Sequence, residues 1–237
     1  MEHPLTFRKK MSQWFSSKSV QWAVIIGFTG LTIWKDNIAY FLGITFVILL
    51  LWSKKWEWNI IGLIKPISWK KVWLQAIYLS IIILLIVDIV IMPIFELLLD
   101  KVVDVSALDG LRGNFLSYII FIVFMWIVAA FGEEFVYRGL LVKHLSYLLG
   151  NNNSATWVAV LFSSILFGMA HRYQGIVGMI NTGIVGLIFG IIFIKSKNKL
   201  WLTILTHGVY DVIGITLIYL DIDKEIYGLL KNLILTS

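Results

Sequence analysis

The sequence predicts an all-α protein, a polytopic transmembrane helical bundle of about seven or eight spans. Three observations point there. Of 237 residues, 59% are hydrophobic and 14% charged, with a mean hydropathy of +0.86. Several apolar runs approach or exceed the ~20 residues that cross a bilayer. The only prolines are Pro4, Pro66 and Pro93, so long unbroken helices are expected. The absence of cysteine excludes a disulfide framework, a thiolate metal site and a cysteine nucleophile. The net charge of +6 gathers at the ends of apolar runs, which suits the positive-inside rule and argues against nucleic-acid binding.

Residues 1–19 are basic, with Trp14 and Phe15 among polar neighbours, and predict an interfacial amphipathic segment on the cytoplasmic face. No small-residue cleavage site follows, so the first apolar run reads as a retained helix and not a signal peptide. Spans are expected at about Gln21 to Trp34 and Ile38 to Trp52, joined by a tight turn at Lys35-Asp36-Asn37. Residues 53–71 mix Lys54, Lys55, Lys65, Lys70 and Lys71 with Trp56, Trp58 and Trp69, the signature of a cytoplasmic loop with an aromatic belt. A third span, about Val72 to Leu99, contains Asp88 and a kink candidate at Pro93. Asp88 reads as a functional carboxylate or as a protonated or hydrogen-bonded buried acid, with the second favoured. The segment Asp100 to Asn114 is the least basic connector and belongs outside.

The fourth span starts near Phe115 and carries Glu133-Glu134-x-x-x-Arg138, with Leu140 to Leu149 continuing it. The fifth runs about Ser154 to Ala170 and ends at His171-Arg172. The sixth, about Gly175 to Ile194, contains Gly186-x-x-x-Gly190, a spacing that lets helices approach closely, within the monomer or against a second copy. Lys195, Lys197 and Lys199 mark the next loop as cytoplasmic. The seventh span, about Leu200 to Leu220, holds His207 and Asp211, and acidic residues beyond it place the far end outside. Ile226 to Leu235 is expected to be a short interfacial helix. In domain terms, residues 1–114 form an N-terminal segment with three spans, 115–220 a helical core and 221–237 a tail.

Charge inside such runs needs a reason, because a carboxylate at the centre of a membrane helix costs roughly 2.5–3.5 kcal/mol on insertion scales. On an α-helix Glu134 and Arg138 share a face and can neutralise each other. Glu133 is rotated by about 100° and points elsewhere, without a local partner. His207 and Asp211 share a face, as do Phe167 and His171. Glu133, His171, His207 and Asp211 are thus unpaired groups on three spans that can meet in a bundle core. Two histidines with a carboxylate match a zinc-type shell, and a carboxylate beside water is a general base.

Glu133-Glu134-x-x-x-Arg138, Phe167-x-x-x-His171 and His207-x-x-x-Asp211, in that order on successive apolar helices, resemble the signature of the CPBP family. These are the CaaX-protease and bacteriocin-processing intramembrane endopeptidases, also called the Abi family. The resemblance covers about Phe115 to Leu220; Asp211 stands where relatives often carry Asn. It implies hydrolysis of a peptide bond in a peptide or membrane-protein substrate, with Glu133 as the base that activates water. His171 would help hold that water or a metal. His207 and Asp211 would complete the site as metal ligands or oxyanion donors, and Glu134 and Arg138 would orient the helix bearing Glu133. A divalent metal, zinc held by His171 and His207, and a metal-free glutamate-activated water both remain open. The implied setting is multi-pass in a cell membrane, the bacterial plasma membrane, with no nucleic-acid partner. Two alternatives stand beside it: a non-enzymatic adaptor for bacteriocin self-immunity or sensor regulation, and a proton-coupled transporter, which lacks the expected repeat.

Depth poses a difficulty. Alternation of spans puts Glu133 towards the inner side and His171 at the outer end of its helix. The favoured solution runs the fourth helix on to about Leu149, which brings Glu133 to mid-membrane.

Overall fold

The computed structural model describes residues 6–226 and 228, and the described residues form an all-helical bundle. Its helices are α1 (Phe7–Ser16), α2 (Lys18–Trp34), α3 (Asp36–Ser53), α4 (Trp69–Leu99), α5 (Phe115–Leu148), α6 (Asn153–Ala170), α7 (Gly175–Lys195) and α8 (Leu200–Tyr219). Six stretches are long and apolar enough to cross a membrane: α3, α4, α5, α6, α8 and Arg172–Lys195, which includes α7. The further span expected from the sequence is α2, whose 17 residues sit at the lower limit for crossing. It forms the expected hairpin with α3, with Lys35 alone between them. The expected tail helix from Ile226 to Leu235 lies outside the described residues, save Ile226 and Gly228.

The starts of α4, α5 and α6 carry side-chain caps. Ser68 accepts from the Lys71 amide, Asn114 from that of Ser117 and Asn152 from that of Ala155, each satisfying a donor the helix leaves free. The α1 segment docks on the end of α3. Phe15 is buried edge-on to Phe46, Arg8 Nε donates to the Trp52 carbonyl and Lys54 Nζ to Ser16 Oγ.

The two ends of the bundle differ in charge. At one, α1 and the loops 54–68, 149–152 and 196–199 meet. Gly62, at φ +86°, turns its carbonyl to the Leu200 amide, and a Cβ there would strike the Asn198 carbonyl. This end carries Lys54, Lys55, Lys65, Lys195, Lys197 and Lys199, and it is the end the sequence assigned to the cytoplasm. At the other end Arg112 pairs with Asp109, Asp221 and Asp223, tying the connector before α5 to the end of α8. The pairing shifts both groups: the Asp223 carboxyl is held below its ordinary range, first by the hydrogen bond from Arg112, and the Arg112 guanidinium is raised by its bonds to Asp223 and Asp109.

The α5 helix runs through the centre. Val136, Tyr137, Leu140 and Leu141 are buried in one core with Phe28 of α2, Val47 of α3, Phe167 of α6 and Ile204 of α8. A second core joins Ile83 and Val87 of α4 to Val185 and Phe189 of α7. Backbones of α6 and α7 nearly touch. A Cβ on Gly168 would come within 2.5 Å of the Met179 carbonyl, and one on Gly186 within 2.8 Å of the Phe167 ring. The glycine-rich helix therefore packs within the monomer, the first of the two options its sequence left open.

Two helices depart from α geometry. Leu84–Ile91 of α4 and Met125–Val142 of α5 are π-helical, with bonds from i to i+5. In α4 the π turn ends just before Pro93. It takes up the amide–carbonyl mismatch that proline creates, so the chain continues as a helix where a kink was expected. Asp88 in this turn is a buried acid that accepts hydrogen bonds from Asn181 Nδ2 (2.9 Å) and the Tyr210 hydroxyl (2.8 Å). It takes the favoured, hydrogen-bonded form.

Candidate functional site

The π-helical stretch of α5 carries both glutamates and decides where they point. With more than four residues per turn, neighbouring side chains diverge by less than the ~100° of an α-helix. The two glutamates still diverge, and they meet His207 of α8 at its two different ring nitrogens. Glu134 Oε1 accepts from His207 Nδ1 at 2.9 Å, and Glu133 Oε2 lies 3.8 Å from His207 Nε2. Asp211, one turn along α8, brings Oδ2 to 3.3 Å from the same Nε2. One imidazole is thus flanked by three carboxylates from two helices.

Glu134 and Arg138 pair as expected. Arg138 Nη1 donates to Glu134 Oε1 at 2.7 Å, and both side chains are buried. Arg138 Nη2 donates to the Gly186 carbonyl of α7 at 2.7 Å, and its guanidinium lies over the rings of Phe167 and Phe189. The absence of a Cβ on Gly186 lets Phe167 sit against α7 and leaves that carbonyl within reach. Sequence spacing identifies Arg138 as the partner of Glu134; it gives no sign that Arg138 also fastens α5 to α7.

The depth of His171 follows from a register contact. Ser163 Oγ donates to the Tyr137 carbonyl, so α6 and α5 run antiparallel with these residues level. Four residues on, Phe167 is level with Glu133, and His171 lies one turn, ~6 Å, further out. Side chains lean toward the helix N-terminus, which returns the His171 ring toward the site. The continuous α5, reaching Leu148, is the solution the sequence favoured for placing Glu133 at mid-membrane. His171 Nδ1 donates to the Phe167 carbonyl at 2.8 Å, so in the neutral ring Nε2 is the acceptor. His171 is within electrostatic range of Glu133 but makes no direct contact with His207; the Phe167 ring lies 4.9 Å from the one imidazole and 6.0 Å from the other.

Among the described residues no three His, Asp or Glu side chains gather as ligands for a metal ion. The Nδ1 atoms of His207 and His171 are held by Glu134 and by the Phe167 carbonyl, which leaves each ring its Nε2 for another partner. No step below runs through a metal. The arrangement does leave Glu133 Oε2 and Asp211 Oδ2 buried without a hydrogen-bond partner, on either side of His207 Nε2. Buried carboxylate oxygens call for a donor, and a polar ligand between them would supply it.

Three residues that sequence reasoning missed come from the N-terminal hairpin and the α6–α7 turn. Tyr40 of α3 donates its hydroxyl to the Val128 carbonyl at 2.8 Å, crossing α5 where Gly132 has no side chain. A Cβ on Gly132 would overlap that hydroxyl. Arg172, beside His171, donates to the carbonyls of Thr32 and Ile33 at the end of α2 and pairs with Asp36. The Tyr173 ring lies tilted 5.8 Å from that of His171 and is within electrostatic range of Glu133 and Asp211. No local motif marks them; the contacts of Tyr40 and Arg172 cross long sequence separations. An open apolar cavity of about 470 Å³, lined by Leu108, Leu111, Ile120 and Phe124, lies at the start of α5, away from this cluster.

Residues 115–213 match the family model described as Type II CAAX prenyl endopeptidase Rce1-like, a stretch that includes all three motifs. No curated protein and no solved structure matches the chain.

Proposed function

We propose that this multi-pass membrane protein is an intramembrane endopeptidase that hydrolyses a peptide bond with water activated by Glu133. The family match supports CAAX-type intramembrane protease activity. The observation that carries the mechanism is the buried, unpartnered Glu133 Oε2, 3.8 Å from His207 Nε2 in the interior of the bundle. A water bound there loses its proton to Glu133 as it attacks the scissile carbonyl. His171 is oriented by its bond to the Phe167 carbonyl, which leaves Nε2 to hold the same water. His207, fixed through Nδ1 by Glu134, presents Nε2 toward the reacting centre; protonated, it donates to the tetrahedral oxyanion. Asp211 orients that edge of the ring. Glu134 and Arg138 keep α5, α7 and α8 in register. The substrate is a peptide or a membrane-protein segment, and the setting we propose is the bacterial plasma membrane.

The test is cleavage of a panel of quenched peptides by purified protein in detergent. Wild type is expected to cleave and Glu133→Ala to be inactive while still inserting; undiminished cleavage by Glu133→Ala would refute the mechanism. Zinc held by His171 and His207 is a separate proposal that requires the two rings to converge on one point. Stoichiometric zinc in wild type, lost in His171→Ala and His207→Ala, would establish it; metal-free, chelator-resistant cleavage would establish the water mechanism alone.

A further inference from the structure

A second polar group lies in the bundle beside the Glu133 cluster. Asp88, in the π-helical turn of α4, is 6% exposed. Its carboxylate accepts from Asn181 Nδ2 of α7 at 2.9 Å, and the Tyr210 hydroxyl of α8 reaches both of its oxygens, at 2.8 and 3.0 Å. A carboxylate within a membrane helix is costly and is seldom kept without a role.

Its partners sit next to the site. Tyr210 immediately precedes Asp211, and Thr206 immediately precedes His207. The α4 helix holds both preceding residues. Ser80, 0% exposed, shares its hydroxyl hydrogen between the Ala76 carbonyl of its own helix and the Thr206 carbonyl. Asp88 holds the Tyr210 hydroxyl. Residues 206 and 210 share one face of α8, and residues 207 and 211 lie on the face next to it, rotated by about 100°. So α4 grips one ridge of α8 while the neighbouring ridge presents His207 and Asp211 beside the glutamates of α5. Asn181 adds α7 to the grip, and Phe189 on the same helix packs 4.7 Å from the His207 ring and 6.2 Å from that of Tyr210.

Two points of attachment fix both the tilt and the rotation of a helix. Side chains reach ~6 Å from the helix axis, so a rotation of about 10° carries a side-chain atom about 1 Å. A displacement of ~1 Å at a reacting centre can cost about 100-fold in rate.

We propose that Asp88 is a positioning residue for the Glu133 site: through the Tyr210 hydroxyl it fixes the rotation of α8 that sets His207 Nε2 and Asp211 against Glu133. This rests on the reading of Glu133 as the base of a peptidase. Asp88 acts through geometry and not through its charge, although it lies within electrostatic range of Asp211. It stands outside residues 115–213, so the site depends on a helix that the family match does not include.

The test compares wild type with Asp88→Leu, Tyr210→Phe, the double variant and Asp88→Asn in detergent, by cleavage of quenched peptides. Asp88→Leu and Tyr210→Phe are each expected to lower kcat by about 10- to 100-fold with KM unchanged. The double variant should be no slower than the slower single variant, because both remove one contact. In Asp88→Asn the new carbonyl accepts from Tyr210, and its amide has Asn181 Oδ1, buried without a partner, to donate to. That variant should stay within about threefold of wild-type kcat. Multiplying losses in the double variant, wild-type kcat in Tyr210→Phe, or Asp88→Asn as slow as Asp88→Leu would each overturn the proposal. Tyr210→Phe removes a single oxygen, so the test stands even where Asp88→Leu does not fold. A second arm needs no substrate. The His207 ring nitrogens are followed by NMR in protein carrying isotope-labelled histidine, their resonances identified by their loss in His207→Gln. They should move in Tyr210→Phe and stay in place in Asp88→Asn; unmoved resonances in Tyr210→Phe would sink the idea. If wild type cleaves no peptide, the peptidase reading fails, while the resonances still decide whether Asp88 places His207.

Discussion

Arg138→Met tests how the site is held together. Arg138 and Glu134 are buried at 2.7 Å separation, and Arg138 also donates to the Gly186 carbonyl. Methionine keeps much of the volume between Phe167 and Phe189 but leaves Glu134 with His207 Nδ1 as its remaining partner and frees a carbonyl on α7. Removing one member of a buried ion pair costs about 3–5 kcal/mol, because the other charge stays desolvated. A neutral carbonyl left bare adds to this at the level of ~1–3 kcal/mol, partly absorbed in the same range. The expected loss is therefore about 3–5 kcal/mol, measured by denaturant unfolding of the purified protein in detergent. Glu134→Gln in the Arg138→Met background removes the stranded charge, and should recover about 1–3 kcal/mol as a coupling energy. A loss below about 1 kcal/mol for Arg138→Met, the scale of an exposed pair, would refute the reasoning. So would additivity of the two substitutions, since it would mean that the charges do not depend on each other.

Other expectations follow from single contacts. Tyr40→Phe removes the hydroxyl bond to the Val128 carbonyl, at a cost of about 0.5–1.5 kcal/mol in stability; kcat for peptide cleavage should fall with KM unchanged. Gly132→Ala displaces the same hydroxyl, so combining it with Tyr40→Phe should add little further loss; full additivity would show that the two do not share one contact. Gly168→Ala puts a Cβ against the Met179 carbonyl and the Gly183 backbone, which cannot rotate away. The α6–α7 pair should lose about 1–3 kcal/mol, read by thermal unfolding. Acid should release the Arg112 latch. The Asp223 carboxyl is depressed in the folded protein, so its contribution is present above the ordinary carboxylate value near 3.8 and is lost as pH falls through the folded value. The hydrogen-exchange protection of residues 109–113, relative to the unstructured rate at the same pH, should fall with acid below about pH 4 in wild type. In Arg112→Ala it should already be low at neutral pH, with a flatter acid response.

The bundle, its hairpin and its end-to-end charge difference are legible in the sequence, because membrane insertion is decided locally. A run of apolar residues must form a helix to satisfy its own backbone, and lysines at its ends set its direction. The candidate residues were legible for a related reason. A charge inside such a run costs free energy on its own helix, so Glu133, Glu134, Arg138, His171, His207 and Asp211 stand out without knowledge of the fold. The pairing of Glu134 with Arg138 followed from spacing alone, since their contact lies within one turn.

What the sequence could not give is what lies between helices. No propensity announces eighteen residues of π-helix, and only the placement of α8 against it brings Glu133 and Glu134 to the two ring nitrogens of His207. The fit of Tyr40 over Gly132 joins residues some ninety positions apart, and the Arg138 bond to the Gly186 carbonyl depends on how closely two glycine-bearing helices approach. The same holds for the two histidines: spacing puts His171 and His207 on different helices, and how close their rings come depends on packing, with the Phe167 ring 4.9 Å from one and 6.0 Å from the other. Helix and depth are properties of each segment, fixed by its own backbone and its solvent. Rotation, register and the order of partners around His207 are set by packing against the other segments, and only the tertiary structure decides them.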